Sequence, residues 1–164
     1  MPIILGIDPG SRTTGFGVIE HQGNRMTCIT HGCIAVQEAD LQQRLFQIFE
    51  AISNIIEQYK PQLAAIESVF INKNILSALK LGQARGAALA AMGKYALPTA
   101  EYSPREIKQA TVGYGAADKK QVQHMIKVLL NLSETPQADA ADALAIAICH
   151  AHCYKFKLKL ENAK

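Results

Sequence analysis

"IILGIDPGSRTTGFGVIE", residues 3–20, is the stretch on which the fold turns. An apolar run from Ile3 to Ile7 reads as a buried strand, and it ends on a carboxylate, Asp8. Pro9-Gly10 turns the chain, and Thr13–Glu20 reads as a second strand running back beside the first. An acid at the end of a buried strand is a turn residue, a metal ligand or the lip of a phosphate-binding loop. The remaining sequence has to choose among them.

The composition shows no break. The chain has 164 residues, 49% hydrophobic and 19% charged, which suits one globular domain with a sizeable core. The expected domain spans residues 1–155. The segment 156–164, part of a basic–apolar alternation "YKFKLKLENAK", is expected to be a short ragged tail. The start "MPIILGID" lacks the basic n-region of a signal peptide, and no apolar run reaches the length of a membrane span. A cytoplasmic location is expected. Cys28, Cys33, Cys149 and Cys153 then read as reduced thiols. "CHAHC", residues 149–153, puts two cysteines on one helix face but turns His150 and His152 elsewhere, so a zinc site is not expected.

The net charge of +3 is unevenly spread. Residues 69–127 hold nine Lys/Arg against three acids, whereas residues 1–68 hold four against seven. A basic region beside a few retained acids suits an enzyme acting on a polyanion.

Residues 24–36 read as a third strand, with Gly32 marking a bulge. Asp40 then caps a helix whose apolar stripe runs from Leu41 to Tyr59 and stops before Pro61. "LAAIE", residues 63–67, reads as a parallel strand ending on Glu67. A helix over 75–95 carries Ala78, Gly82, Gly86 and Ala90 in one row, a face built for close packing on another helix. A short strand over 98–102 follows. Ser103-Pro104-Arg105-Glu106 is a capping box with proline at the first helical position. Further helices start near Asp118 and run from about Ala138 to His152. The order predicts an α/β fold of the ribonuclease H type: a mixed five-stranded sheet flanked by helices, with strands 1 and 4 adjacent and parallel.

That arrangement gathers acids. Asp8 and Glu67 leave the same carboxyl edge of the sheet, where open α/β folds place their sites. "DAAD" sets Asp139 and Asp142 three apart on one helix face. Clustered carboxylates beside apolar segments repel one another and resist burial, and a divalent cation relieves both costs. All-oxygen donors favour Mg²⁺, with Mn²⁺ as the substitute. Two such ions about 4 Å apart suit in-line phosphodiester hydrolysis. A sugar-kinase-like phosphate loop is the rival reading of "GIDPGS", but those proteins need two lobes and two phosphate loops, and this chain has length for one lobe.

With these residues in view the chain closely resembles the bacterial Holliday-junction resolvase family, RuvC. The stretches that carry the resemblance are "ILGIDPGSRTTGFGVI", "AIESVFINKN", "SALKLGQARG", "IKQATVG" and "PQADAADALAIAI", in order, across residues 3 to about 150. The resemblance implies a homodimeric, metal-dependent endonuclease that nicks four-way junction DNA symmetrically and partners the RuvA–RuvB branch-migration complex. It implies catalytic, metal-binding roles for Asp8, Glu67, Asp139 and Asp142, with two Mg²⁺ per subunit. Phe70 matches the family's junction-probing aromatic, and Lys108 and Lys119 its phosphate-contacting lysines. Lys120, Lys73, Arg85 and Arg105 are expected in the same groove on charge. The small-residue helix 75–95 is the expected dimer seam. No membrane partner is expected.

Overall fold

The computed structural model describes residues 1–37, 40–69 and 74–161, with side chains through Tyr154. Five strands form one mixed sheet in the order β3-β2-β1-β4-β5. β1 (Ile3–Asp8), β2 (Thr13–Gln22) and β3 (Arg25–Ala35) make an antiparallel meander; β4 (Leu63–Glu67) joins β1 in parallel, and β5 (Thr99–Tyr102) joins β4 in parallel. Gly23, at φ 62°, supplies the left-handed turn between β2 and β3.

Alternation along the strands sends side chains to two cores. Leu5, Ile7, Val18 and Ile66 face α1 (Leu41–Tyr59) and α2 (Ile75–Lys94). Ile4, Ile19 and Ala65 face α3 (Pro104–Val112), α4 (Lys119–Leu129) and α5 (Ala138–Glu161). Local signals start the helices as expected. Asp40 accepts from the Gln42 N–H, and Ser103–Glu106 forms a complete capping box. Asp118–Gln121 forms a second.

Two expectations need correction. The register shift in β3 falls where Val18 pairs with Thr30 and Ile19 with Cys28, so Ile29 is the extra residue. Gly32 is in regular register opposite Phe16; its missing side chain instead makes room for the Phe16 ring. The last helix does not end at His152 but continues to Glu161. An established helix extends at little cost because each further residue adds one bond.

α5 is the element that builds the site. Residues Ala140–Ala151 are nearly all buried against the sheet on one side and α3 and α4 on the other. Three glycines let its backbone come close: a Cβ at Gly6 would overlap the Ala143 carbonyl, one at Gly15 the Asp139 carbonyl, and one at Gly17 the Leu144 side chain. The N-terminal turns of α5 thereby rest on β1 and β2, beside the end of β1.

Candidate active site

The parallel register pairs Ile7 with Ile66, so the next residues, Asp8 and Glu67, leave the sheet side by side at its carboxyl edge. Both point to the α5 face, as Ile4 and Ala65 do. α5 brings Asp139 and Asp142 over them from its first two turns. Carboxylate oxygens of Asp8, Asp139 and Asp142 lie within 4.8 Å of one another, each residue half-buried. Glu67 lines the same cleft, of about 350 Å³, but stands outside that close group.

The electrostatics follow from crowding in a desolvated place. Burial pushes Asp8 up to about 8, and the charges of Asp142, Glu67 and Asp139 push the same way, against Lys119. Glu67 and Asp142 are also raised, mainly by burial, with Lys108 and Lys119 opposing. Lys108 of α3 and Lys119 at the start of α4 line the cleft. Among the described residues, four acids and two cations thus stand around one opening. An all-oxygen donor set with converging atoms and mutual repulsion fits Mg²⁺ or Mn²⁺.

The other expected DNA contacts are scattered. Lys120 is exposed beside Lys119. Arg105 is exposed and lays its side chain over Gly115. Arg85 is engaged elsewhere, in an ion pair with Glu101. Phe70 and Lys73 lie outside the described residues. A larger cleft of about 450 Å³, between His31 of β3 and the segment 132–137, contains a single acid, Glu134.

Cys149 is buried and Cys153 exposed, while His150 Nδ1 and the Tyr102 hydroxyl share a 2.8 Å hydrogen bond. Burial lowers the His150 pKa, keeping it neutral within the core. Cys33 is a neighbour of the acids that sequence reading did not find. Its thiol is raised by burial and by Asp139 and Asp8, and it takes a hydrogen bond from the Ala140 backbone. The β2–β3 register that sets it opposite Gly15 leaves no local signal in the sequence.

Residues 4–150 match the family model described as crossover junction endodeoxyribonuclease RuvC. A protein of that name from Shewanella loihica is 59% identical over 144 residues, covering 88% of this chain and 83% of that protein. The one from Cronobacter sakazakii is 57% identical over the same shares. Among solved structures, T. thermophilus RuvC in complex with a Holliday junction substrate superposes with a TM-score of 0.90 at 30% identity, over 96% of this chain and 97% of that one. The yeast mitochondrial Holliday junction resolvase Ydc2, at 15% identity and a TM-score of 0.67, shares the fold.

Proposed function

The chain belongs to the RuvC family of crossover junction endodeoxyribonucleases, and from that membership we propose that it resolves four-way DNA junctions by paired, symmetric nicks during recombination and repair. The observation that carries this reading is the convergence of Asp8, Asp139 and Asp142 within 4.8 Å, with Glu67, Lys108 and Lys119 in the same cleft.

In the proposed mechanism Asp8, Glu67, Asp139 and Asp142 would hold two Mg²⁺ per subunit, Mn²⁺ substituting. Bound there, the ions supply the charge that polarises a scissile phosphate and stabilises the attacking and leaving oxygens of an in-line hydrolysis. Burial and its acidic neighbours raise Asp8 to about 8, and a cation held there would favour its carboxylate form. Lys108 and Lys119 meet an incoming DNA phosphate and offset the carboxylates around it. The products are a 5′-phosphate and a 3′-hydroxyl. Phe70, three residues past Glu67, is proposed to wedge between bases at the crossover.

A junction has two strands to cut, and a two-fold dimer presents two identical sites. α2 is the proposed seam. Its Ala78–Gly82–Gly86–Ala90 row lies on the outer face, beside Leu79 at 57% exposure. The nuclease domain, residues 1–155, is proposed to act in the cytoplasm with the RuvA–RuvB complex. Among the described residues no helix is long and apolar enough to cross a membrane.

The test incubates the protein and Mg²⁺ with four-way, three-way, RNA–DNA hybrid and linear duplex substrates. Symmetric paired nicks on the four-way substrate alone are expected; preferential cutting of the hybrid would replace this reading. Asp8→Asn should keep junction binding and lose cleavage. Removing the Phe70 ring should slow cleavage far more than it lowers thermal stability; the reverse pattern would make Phe70 a core residue.

A further inference from the structure

Charge alone groups Arg85 with the DNA contacts, but its surroundings do not. Arg85 projects from α2, which covers one face of the sheet, while the carboxylate cleft lies on the other, among α3, α4 and α5. Its side chain is only 18% exposed. One guanidinium nitrogen, Nη2, sits 2.6 Å from Glu101 Oε2, and Nε donates to the Glu67 backbone carbonyl at 3.4 Å. Glu101 pairs with Ile66 and so shares the α2 face, while its neighbour Tyr102 pairs with Glu67. Arg85 therefore clasps the last residues of β4 and β5 from behind the sheet. The following residue is tied down too: the Ser68 N–H and hydroxyl both donate to the Tyr102 carbonyl, at 2.8 and 3.2 Å.

This clasp acts where the site is least settled. Glu67 is the acid that stands outside the close group of Asp8, Asp139 and Asp142. How far its carboxylate reaches depends on where the end of β4 is held. A planar guanidinium serves two partners in fixed directions at once, whereas a lysine ammonium is a single point on a flexible stem.

We propose that Arg85 is a positioning residue of the endonuclease: bridging Glu101 and the Glu67 carbonyl, it fixes the end of β4 so that Glu67 completes the divalent-cation site. The proposal rests on the metal-dependent reading above. Arg85→Lys keeps the charge and loses the fork, Arg85→Gln loses both, and Glu101→Gln removes the anchor at a position 53% exposed.

Three quantities are measured: junction affinity without divalent ions, single-turnover cleavage at saturating protein across a Mg²⁺ series, and Mn²⁺ affinity of the DNA-free protein by electron paramagnetic resonance. All three variants should bind the junction within about twofold of the parent, because no phosphate contact is removed. Both Arg85 variants should cleave roughly 10-fold to 100-fold more slowly, as when the groups that orient metal ligands are lost. Their half-saturating Mg²⁺ should rise, and their Mn²⁺ affinity should fall in parallel. Glu101→Gln should shift each in the same direction by less, and it decides the matter if an Arg85 variant does not fold.

Loss of junction affinity in Arg85→Gln, with affinity kept in Arg85→Lys and Mg²⁺ dependence unchanged, would overturn the proposal and return Arg85 to DNA contact. So would parental cleavage and Mn²⁺ affinity in all three variants. Glu67→Gln is the control for the underlying reading. If it leaves cleavage and Mn²⁺ affinity intact, the metal assignment itself fails, whatever the Arg85 variants do.

Discussion

α5 and α2 both carry small residues at close spacing, and the two helices meet opposite surroundings. On α5, Ala143 and Asp139 present their carbonyls to Gly6 and Gly15 so tightly that neither glycine has room for a Cβ. On α2, a Cβ added at Gly82, Gly86 or Gly93 would meet nothing. Ile75, Leu76 and Leu79 stand exposed on the same helix, whose other side is buried through Ala84, Ala88, Ala91 and Met92. Small residues in a row indicate that something comes close, not what does. For α5 it is this chain's own sheet. For α2 it is the proposed second subunit, since exposed apolar side chains grouped on one face mark a contact surface.

Gly15 is where the α5 contact is most directly tested. Gly15→Ala sets a methyl against the Asp139 carbonyl, a backbone atom that no rotamer change can move. A loss of about 3 kcal/mol or more is expected by urea denaturation. Cleavage should go with it, since Asp139 rides on the displaced turn. A variant of near-parental stability would mean that the α5 contact is looser than described.

The next effect comes from what that close packing does to charge. Burial raises Asp8 to about 8 in the folded protein, well above the ordinary carboxylate range of the unfolded chain. Between about pH 4 and pH 8 the folded state therefore binds a proton that the unfolded state has released. Stability of the metal-free protein falls as pH rises through that window. Asp8→Asn should flatten the fall and raise stability near pH 8 by about 1–3 kcal/mol, read from melting in a chelator. An Asn variant less stable than the parent at that pH would show that the carboxylate is not repelled there.

The smallest effect is expected on the outer face of α2. Gly86→Ala should stabilise the monomer by up to about 1 kcal/mol through helix propensity. If a partner helix comes close at that point, the same methyl should weaken the dimer about tenfold, near 1.4 kcal/mol, in sedimentation equilibrium. A stabilised chain with unchanged association would leave the Gly86 face to solvent.

Much of this was legible in order along the chain. Caps at Asp40, Ser103 and Asp118 mark helix starts because their chemistry is local. Asp8 and Glu67 stand out because each ends an apolar strand. The Ile29 bulge, the length of α5 and the place of Cys33 beside the acids were not legible. Each depends on which residue lies across a strand pair or on how far a helix finds support, and neither leaves a periodic trace. Arg85 shows the gap most clearly. As a letter among lysines it reads as a DNA contact; in the fold it holds Glu101 and the end of β4.

The element order and the four acids are readable from the chain alone, because periodicity, caps and burial preferences act over a few neighbouring residues. The convergence of three acids while Glu67 stands aside, the placing of Lys108 and Lys119 beside them, and the pairing of Arg85 with Glu101 on the opposite face of the sheet come from the tertiary structure. Those outcomes depend on strand register and on the approach of one backbone to another, which join residues far apart in the chain and are set by the packing of the whole.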